Sequence, residues 1–171
     1  MHEIMTYAWW IFAFRWFHVL SGVMWIGLLW YFNFVQTPTM PKIPNELKPA
    51  VGKFILPEAL FWFRWGAMST IVTGLILAEM NGYLMNAIRL GIGDHNANLS
   101  AIGVGMWLGT IMWFNVWFII WPNQKKNMGL VPVTDDEKKA AARKAGLTSR
   151  VNTLLSIPML YCMLSASHGV F

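Results

Sequence analysis

The feature that most constrains this chain is a set of four apolar segments, each long enough to cross a lipid bilayer. A transmembrane helix needs about 20 mainly apolar residues to span about 30 Å of hydrocarbon. The segments run from about Ala8 to Val35, from Ala59 to Ile88, from Leu99 to Trp121 and from Val151 to Phe171. They lack the period-2 alternation of strands and exceed strand length. The sequence therefore predicts an all-α integral membrane four-helix bundle, with residues 1–171 as a single domain.

Composition agrees with a membrane protein and excludes several other classes. Of the 171 residues, 56% are hydrophobic and 12% are charged, which is about half the charged fraction of a soluble domain. The single Cys162 excludes an internal disulfide and a metal site built from several cysteines. The chain also lacks the CxxCH motif of covalent c-type haem. No basic patch alternates with stacking aromatic residues, so we expect no nucleic-acid partner.

Basic residues in the connections predict the orientation. The connections Gln36–Pro57 and Pro122–Arg150 contain ten Lys and Arg residues, whereas the N-terminal tail and the remaining loop contain only Arg89. The positive-inside rule places both basic connections in the cytoplasm and both termini on the outer, periplasmic side. We therefore expect a multi-pass membrane protein, with an inner (plasma) membrane as the assumption behind this orientation. The first segment is too long for a signal peptide and follows a tail without Lys or Arg, so we expect it to be retained.

The two basic connections have different local patterns. In the first, four prolines before its final Pro57 predict a stiff and extended chain rather than a helix: Pro38, Pro41, Pro44 and Pro49. In the second, Thr134 and Glu137 have the spacing of a capping box. The pattern predicts a short cytoplasmic helix at about 135–145, which Gly146 ends before the fourth segment.

Ionisable residues inside apolar segments are functional candidates because their transfer into lipid is costly. In the first segment, Arg15, His18 and Gly22 lie on one face at helical spacing. Here His18 offers an axial nitrogen for a haem iron, Gly22 offers space for a flat porphyrin, and Arg15 offers a cation for a propionate. The alternative is a histidine hydrogen-bonded to a neighbouring helix, with Gly22 as a packing residue.

A second histidine lies at a similar predicted depth. His168 is three residues from the outer end of the fourth segment, and His18 is three residues below the outer end of a span counted as Arg15 to Val35. Equal depth is what two axial ligands of one iron require, so we expect His18 and His168 to bind a haem b. Alternatives for the second ligand are His95 in the outer loop and a residue of another chain. His168 can also be read as an interfacial residue.

Other polar and small residues have simpler interpretations. We expect Arg64 to extend to the lipid headgroups and Glu79 to form an ion pair with Arg15. Three glycines in the third segment predict close helix packing, although the same spacing would admit a porphyrin edge: Gly103, Gly105 and Gly109.

Four fragments stand in the same order on the four segments: RWFHVLSGVMWIGLLWYF, FWFRWGAMSTIVTG, NVWFIIWPNQKK and SRVNTLLSIPMLYCMLSASH. Together they resemble the membrane domain of the bacterial membrane-bound urate oxidases (urate hydroxylases). The residues that carry the resemblance are Arg15, His18, Trp62, Phe63, Trp65, Asn115, Pro122, Gln124, Arg150, Asn152, Pro158 and His168.

The resemblance implies a membrane oxidoreductase module that passes electrons to cytochrome c. In that family a c-type haem domain usually follows the membrane part, whereas this sequence stops three residues after His168. The family's membrane domain also has additional helices, and Val151 stands where its motif has a histidine. We therefore expect a b-type haem electron carrier that uses an external cytochrome c or a partner subunit, in a homo-oligomer or a larger complex.

Two other functions remain open from the sequence. The first is a true membrane urate oxidase whose substrate pocket is built from the four helices. The second is a cofactor-free structural subunit of a larger membrane complex. Two axial ligands would leave no open iron position for substrate, which favours the carrier over a self-contained enzyme.

Overall fold

The computed structural model describes residues 6–92 and 96–168, and every regular element within these ranges is helical. The all-α class is therefore confirmed for this part of the chain. The elements are α1 (Tyr7–Lys42), α2 (Lys48–Met80), α3 (Leu84–Ile88), α4 (Ala97–Asn127) and α5 (Asp135–His168). His95 and the end of the fourth predicted segment lie outside the described residues.

Three of the helices, α1, α2 and α4, are long and apolar enough to cross a membrane. Within the described ranges α5 does not meet the same criterion, because polar residues such as Asn152, Thr153 and Ser156 interrupt its apolar half. A multi-pass membrane protein is thus supported. The fourth span, and with it the outer location of both termini, stays a prediction.

Helices α1 and α2 pack closely and in opposite directions. The Ser21 and Ser69 hydroxyls are 2.8 Å apart. Further along α1, Trp25 lies against Gly66, which precedes Ser69 on α2, and a Cβ on Gly66 would be 3.3 Å from the Trp25 backbone nitrogen. Because the partners on α2 come in reverse order, the two helices are antiparallel. The close approach depends on the missing side chain at Gly66.

Helices α1 and α5 are also antiparallel. The Trp30 indole N–H donates to Ser156 Oγ at 3.0 Å, and the Asn33 amide donates to Ser149 Oγ at 2.8 Å. The order of the α5 partners reverses along α1. The beginning of α1 and the end of α5 therefore lie on the same side of the molecule.

A core of large apolar side chains occupies the middle of the molecule and receives residues from all four long helices. Its buried members are Trp25, Ile26, Leu29, Phe32, Leu60, Phe63, Ala67, Met112, Val116, Ile120 and Met159. In lipid, such contacts stabilise helices mainly through van der Waals packing rather than through burial from water. On α1 this core begins at Trp25, so His18 lies outside it.

A buried amide pair joins α4 to α5 beside this core. Asn152 is fully buried, and its Nδ2 donates to the Met112 carbonyl oxygen at 2.9 Å. The Asn115 amide donates to Asn152 Oδ1 at 2.8 Å. Two residues that carry the family resemblance, Asn115 and Asn152, thus connect two helices.

Replacing Asn152 with leucine is expected to lower the free energy of unfolding by about 1–3 kcal/mol, because the Asn115 amide and the Met112 carbonyl are left unpaired. The measurement is reversible unfolding in detergent. In a double-mutant cycle, Asn115→Leu should cost less in the Asn152→Leu background than in the wild type. Additive effects would show that the two amides are not coupled.

The first basic connection is mostly helical, so the prediction of an extended chain is wrong. Only residues 43–47 separate α1 from α2. Pro38 and Pro41 lie within the last turns of α1, and Pro49 lies in the first turn of α2. Proline is tolerated in a first helical turn because its missing N–H would have no partner there. Of the four prolines, only Pro44 lies in the loop.

Each of the three apolar helices contains a π-helical segment that ends two residues before a proline. The segments are Tyr31–Gln36 before Pro38, Val51–Ile55 before Pro57, and Asn115–Ile120 before Pro122. A proline ring clashes with the carbonyl four residues earlier, and in each helix this carbonyl belongs to the π segment. The wider turn bonds N–H groups to carbonyls five residues back, as Thr37 does to Phe32. The helices therefore continue through their prolines.

The second segment is divided by a turn that its apolar pattern did not predict. Helix α2 ends at Met80, and Gly82 adopts a φ of +73°. The Gly82 N–H donates to the Glu79 carbonyl at 2.9 Å, and the Tyr83 N–H donates to the Ala78 carbonyl at 3.1 Å. These two bonds form a Schellman motif, which requires a left-handed residue after the helix. The predicted segment 59–88 is thus two helices, α2 and α3.

The predicted glycine packing is confirmed at two of three positions on α4. A Cβ on Gly103 would overlap the carbonyl oxygen of Ala87 in α3, and a Cβ on Gly105 would be 3.2 Å from the Cys162 Cβ in α5. A Cβ on Gly109 would meet no atom within 4 Å. Gly103 and Gly105 therefore allow α4 to contact its two neighbours.

The short cytoplasmic helix and the fourth segment form one continuous helix, so the prediction that Gly146 ends the first of them is wrong. Gly146 keeps a helical conformation, and the neighbouring Ala141 and Ala145 are buried. The capping box is confirmed: the Glu137 N–H donates to Thr134 Oγ1 at 3.3 Å, and the Thr134 N–H donates to Glu137 Oε2 at 2.9 Å.

The start of α5 is expected to fray at acidic pH. The backbone N–H of Thr134, and then its hydroxyl, hold the pKa of Glu137 below its usual value of 4.5. A carboxyl group whose pKa is lower in the folded state stabilises that state above the unfolded pKa, and this contribution is lost as the pH falls through the folded value. We expect amide hydrogen exchange at residues 135–140, corrected for intrinsic rates, to accelerate below about pH 4.5.

The matched control is Glu137→Gln, which keeps a hydrogen-bonding side chain without the titrating charge. Its exchange at residues 135–140 should not change with pH over this range. Identical pH dependence in the wild type and in this variant would exclude Glu137 as the cause.

Candidate functional site

His18 lies in the contact between α1 and α2, and its ring is oriented by α2. Its Nδ1 is 2.9 Å from the Thr70 carbonyl oxygen. A carbonyl can only accept, so the ring proton is on Nδ1, and in a neutral imidazole the lone pair is on Nε2. His18 is therefore hydrogen-bonded to a neighbouring helix, as the alternative interpretation of the sequence expects. This bond is compatible with metal binding, because ligating histidines usually donate their other ring N–H to a carbonyl or carboxylate.

Gly74 provides the space for this ring. A Cβ at position 74 would be 2.8 Å from His18 Cε1 and 3.1 Å from His18 Nδ1. Only glycine therefore admits the imidazole at this place on α2. Sequence reasoning missed Thr70, Thr73 and Gly74, although hydroxyl residues beside a glycine in an apolar segment are a signal of close helix contact.

Open space lies beside His18 at Gly22, one helical turn further along α1. Trp30 contacts α5 and His18 contacts α2, and at 100° per residue Gly22 points between these two helices. This direction leads to the interior of the molecule. A Cβ on Gly22 would nevertheless meet no atom within 4 Å. Open space therefore exists on α1 one turn from His18.

Arg15 is exposed one turn before His18. The expected ion pair with Glu79 does not form within the described ranges. The salt bridge that forms there joins Lys139 to Asp136. Burial raises the pKa of Tyr83, and the positive charge of Arg15 opposes this increase. Arg15 therefore acts on the turn between α2 and α3, and its guanidinium forms no carboxylate pair within residues 6–92 and 96–168.

His168 is as many residues from the contact between α1 and α5 as His18 is. The Trp30–Ser156 hydrogen bond aligns α1 with α5. His18 is 12 residues before Trp30 and His168 is 12 residues after Ser156, so each is about 18 Å from this bond toward the same side. The His168 Nδ1 is 2.9 Å from the Leu164 carbonyl oxygen, which places the proton on Nδ1 as in His18.

The two histidines nevertheless lie on different faces. His168 continues a stripe along α5 at spacings of three and four residues, and the members of this stripe are 58–70% exposed: Leu154, Ile157, Tyr161 and Leu164. His18 lies in the contact between α1 and α2. The structure therefore does not bring the two residues together on one face.

Other polar groups in the apolar helices are used for packing. The Arg64 guanidinium stacks on Trp121, 3.4 Å from the ring centre, and lies 5.6 Å from that of Trp117. Its extension to the lipid headgroups stays a prediction. This cation–π contact joins α2 to α4. Within the described residues, no three His, Cys, Asp or Glu side chains come together as a metal site.

A cavity of about 240 Å³ lies near the opposite end of the molecule, between α1, α2, α4 and the middle of α5. Phe32, Phe63 and Ile120 form part of its apolar wall. Its polar wall contains Asn33, Gln36, Gln124, Asn127, Ser149 and Arg150. These residues come from segments far apart in the chain. Asn33 and Gln36 are 15 and 18 residues after His18, about 22–27 Å along the helix, so a ligand in this cavity does not touch His18.

Comparison with known families agrees with the resemblance over the second half of the chain. Residues 96–171 match the family model described as urate oxidase N-terminal. The matched region includes α4 and α5, with Asn115, Asn152 and His168, but not His18. Comparisons with curated proteins and with solved structures give no significant match. Over residues 96–171, this chain is thus similar to the N-terminal domain of the urate oxidases.

Proposed function

We propose that this chain is a membrane-bound b-type haem redox protein that exchanges electrons with a cytochrome c or a partner subunit. The observation that carries the proposal is the state of His18. Its Nδ1 is held by the Thr70 carbonyl, its Nε2 has the lone pair, and open space lies one turn away at Gly22. The similarity of residues 96–171 to the urate oxidase N-terminal domain supports a redox role.

Each residue of the site has a defined task in this proposal. His18 binds the iron through Nε2, and the Thr70 carbonyl holds the imidazole orientation. Gly22 leaves space for the macrocycle, and Arg15 offers a cation to a propionate. A bound haem b supplies one-electron chemistry, with a potential set by its ligands and its burial.

The second residue that would hold the haem is His168. Its predicted depth matches that of His18, but its place on the exposed side of α5 favours a ligand donated across an interface with another chain. Ligation within one chain needs the last turn of α5 to rotate. In either arrangement His18 and His168 would both hold the haem, which would favour electron transfer over direct reaction with a substrate.

The proposed location is a bacterial inner membrane, with α5 as the fourth span and both termini in the periplasm. The antiparallel pairing of α1 with α5 and the basic residues of both inner connections support this orientation. His18, near the beginning of α1, then lies toward the periplasmic side. This position is accessible to a soluble cytochrome c.

Electron exchange is tested by mixing the dithionite-reduced protein, freed of excess reductant, with oxidised soluble cytochrome c. We expect the haem to be oxidised as the cytochrome is reduced in equal amount. For comparison, the same reaction is carried out with His168→Ala protein of matched haem content. A reduced haem that persists with excess cytochrome c would contradict the assignment of this partner.

The polar cavity favours a second candidate, a true membrane urate oxidase. Four amides and Arg150 suit a planar anion with several carbonyl groups. The distance from His18 argues against direct contact between this cavity and the haem site. Anaerobic addition of urate decides between the functions: the oxidase predicts haem reduction that Arg150→Ala abolishes, and the carrier predicts none.

A cofactor-free structural subunit, the third candidate, would be colourless when purified from native membranes.

A further inference from the structure

We propose that Thr73 and Gly74 of α2 are positioning residues that set the orientation and the protonation of His18, and thereby the reduction potential of the haem. This inference rests on the proposed function. It assigns to two residues of α2 a role in tuning a ligand on α1.

The Thr73 hydroxyl faces His18 as an acceptor. Its Oγ1 is 2.6 Å from the Ser69 carbonyl oxygen, and a hydroxyl has a single proton, which this short bond uses. The same Oγ1 is 3.4 Å from His18 Nδ1, so it can only accept from the ring. Together with the Thr70 carbonyl at 2.9 Å, it gives Nδ1 two acceptors and no donor, which fixes the proton on Nδ1.

Gly74 determines whether the ring can reach these acceptors. The imidazole edge occupies the volume that a Cβ would fill, 2.8 Å from Cε1. A methyl group at position 74 therefore displaces the ring from the Thr70 carbonyl. The missing side chain of Gly74 and the hydroxyl of Thr73 act on the same two ring atoms, Nδ1 and Cε1.

Acceptors at Nδ1 change the electronic character of the ligand. A histidine whose ring N–H is hydrogen-bonded is a more basic ligand, and loss of such a partner typically weakens metal binding by about 10–100-fold. A more basic axial ligand stabilises oxidised iron more than reduced iron. Removing an acceptor should therefore raise the haem reduction potential, because the oxidised state loses more stabilisation than the reduced state.

The test uses four variants of the full chain in detergent, with haem retention and spectroelectrochemical potential as readouts. Thr73→Val keeps the side-chain shape without the acceptor, and it should retain haem with a raised potential. Thr73→Ser restores the hydroxyl and should return the potential to the wild-type value. Gly74→Ala should retain haem at least about 10-fold less tightly. Gly27→Ala, whose Cβ would meet no atom within 4 Å, is the control and should behave as the wild type.

Failure of this inference is distinguishable from failure of the proposed function. A haem-loaded wild type with unchanged potential in Thr73→Val and unchanged retention in Gly74→Ala overturns the positioning role alone. A wild type without haem overturns the proposed function, and the positioning role with it.

Discussion

Replacing His18 with alanine is expected to remove haem from the purified protein, lowering the Soret absorbance per chain by more than about 10-fold. The loss of the iron ligand itself should exceed the 10–100-fold effect typical of its hydrogen-bonding partners. The measurement is the absorption spectrum of equal amounts of folded protein in detergent. Ser21→Ala is the matched control, because Ser21 lies in the same contact and bonds only the Ser69 hydroxyl at 2.8 Å. A His18→Ala protein with full Soret absorbance would exclude His18 as a ligand.

The same experiment on His168→Ala separates the two axial positions. With His18 retained and the second ligand removed, we expect a five-coordinate, high-spin haem that binds carbon monoxide. A low-spin spectrum identical to that of the wild type would exclude His168. Mixing detergent-solubilised His18→Ala and His168→Ala proteins then tests donation across an interface, since only that arrangement restores a fully ligated site from two defective chains.

Replacing Gly103 with alanine is expected to lower the free energy of unfolding by about 3 kcal/mol or more, at the upper end of the cost of overpacking. The new Cβ would overlap the carbonyl oxygen of Ala87. This acceptor is backbone in a buried part of α3 and cannot rotate aside as a side chain could. Chemical or thermal unfolding in detergent measures the loss.

Gly109→Ala is the matched control for this variant. Both glycines are buried on α4, but a Cβ on Gly109 would meet no atom within 4 Å. We expect its effect to stay within about 0.5 kcal/mol. Equal destabilisation by the two substitutions would show that helix propensity, rather than the contact of α4 with α3, determines the cost.

The apolar segments predict the helices well because length and hydrophobicity report directly on the cost of placing residues in lipid. Helix ends depend on local backbone geometry, which the length and hydrophobicity of a segment do not describe. Gly82 ends α2 through a left-handed turn. Gly146 remains helical, since a glycine inside a helix costs only about 1 kcal/mol and the helix beside it is packed at Ala141 and Ala145. The extended connection was wrongly predicted because a π-helical segment before Pro38 accommodates its ring and Pro49 lies in a first helical turn.

The sequence predicts only part of the candidate site. His18 stands out as an ionisable residue in an apolar segment. Its partners Thr70 and Thr73 lie 52 and 55 residues later, and their proximity depends on how α1 and α2 align. A hydrophobic pattern does not determine this alignment to within one residue. The sequence also does not predict the face of α5 on which His168 lies. Counting residues gives a position along the helix, whereas the face depends on how the helix is rotated about its axis.

Haem b content is the most direct test of the central claim that His18 and His168 bind one haem per chain. The measurement is the absorption spectrum of the wild-type protein purified from native membranes, oxidised and dithionite-reduced, with a pyridine haemochrome assay. We expect a Soret band, sharp α and β bands on reduction, and about one haem b per chain. A colourless protein without haem would contradict the account and leave His18 as a residue that packs α1 against α2.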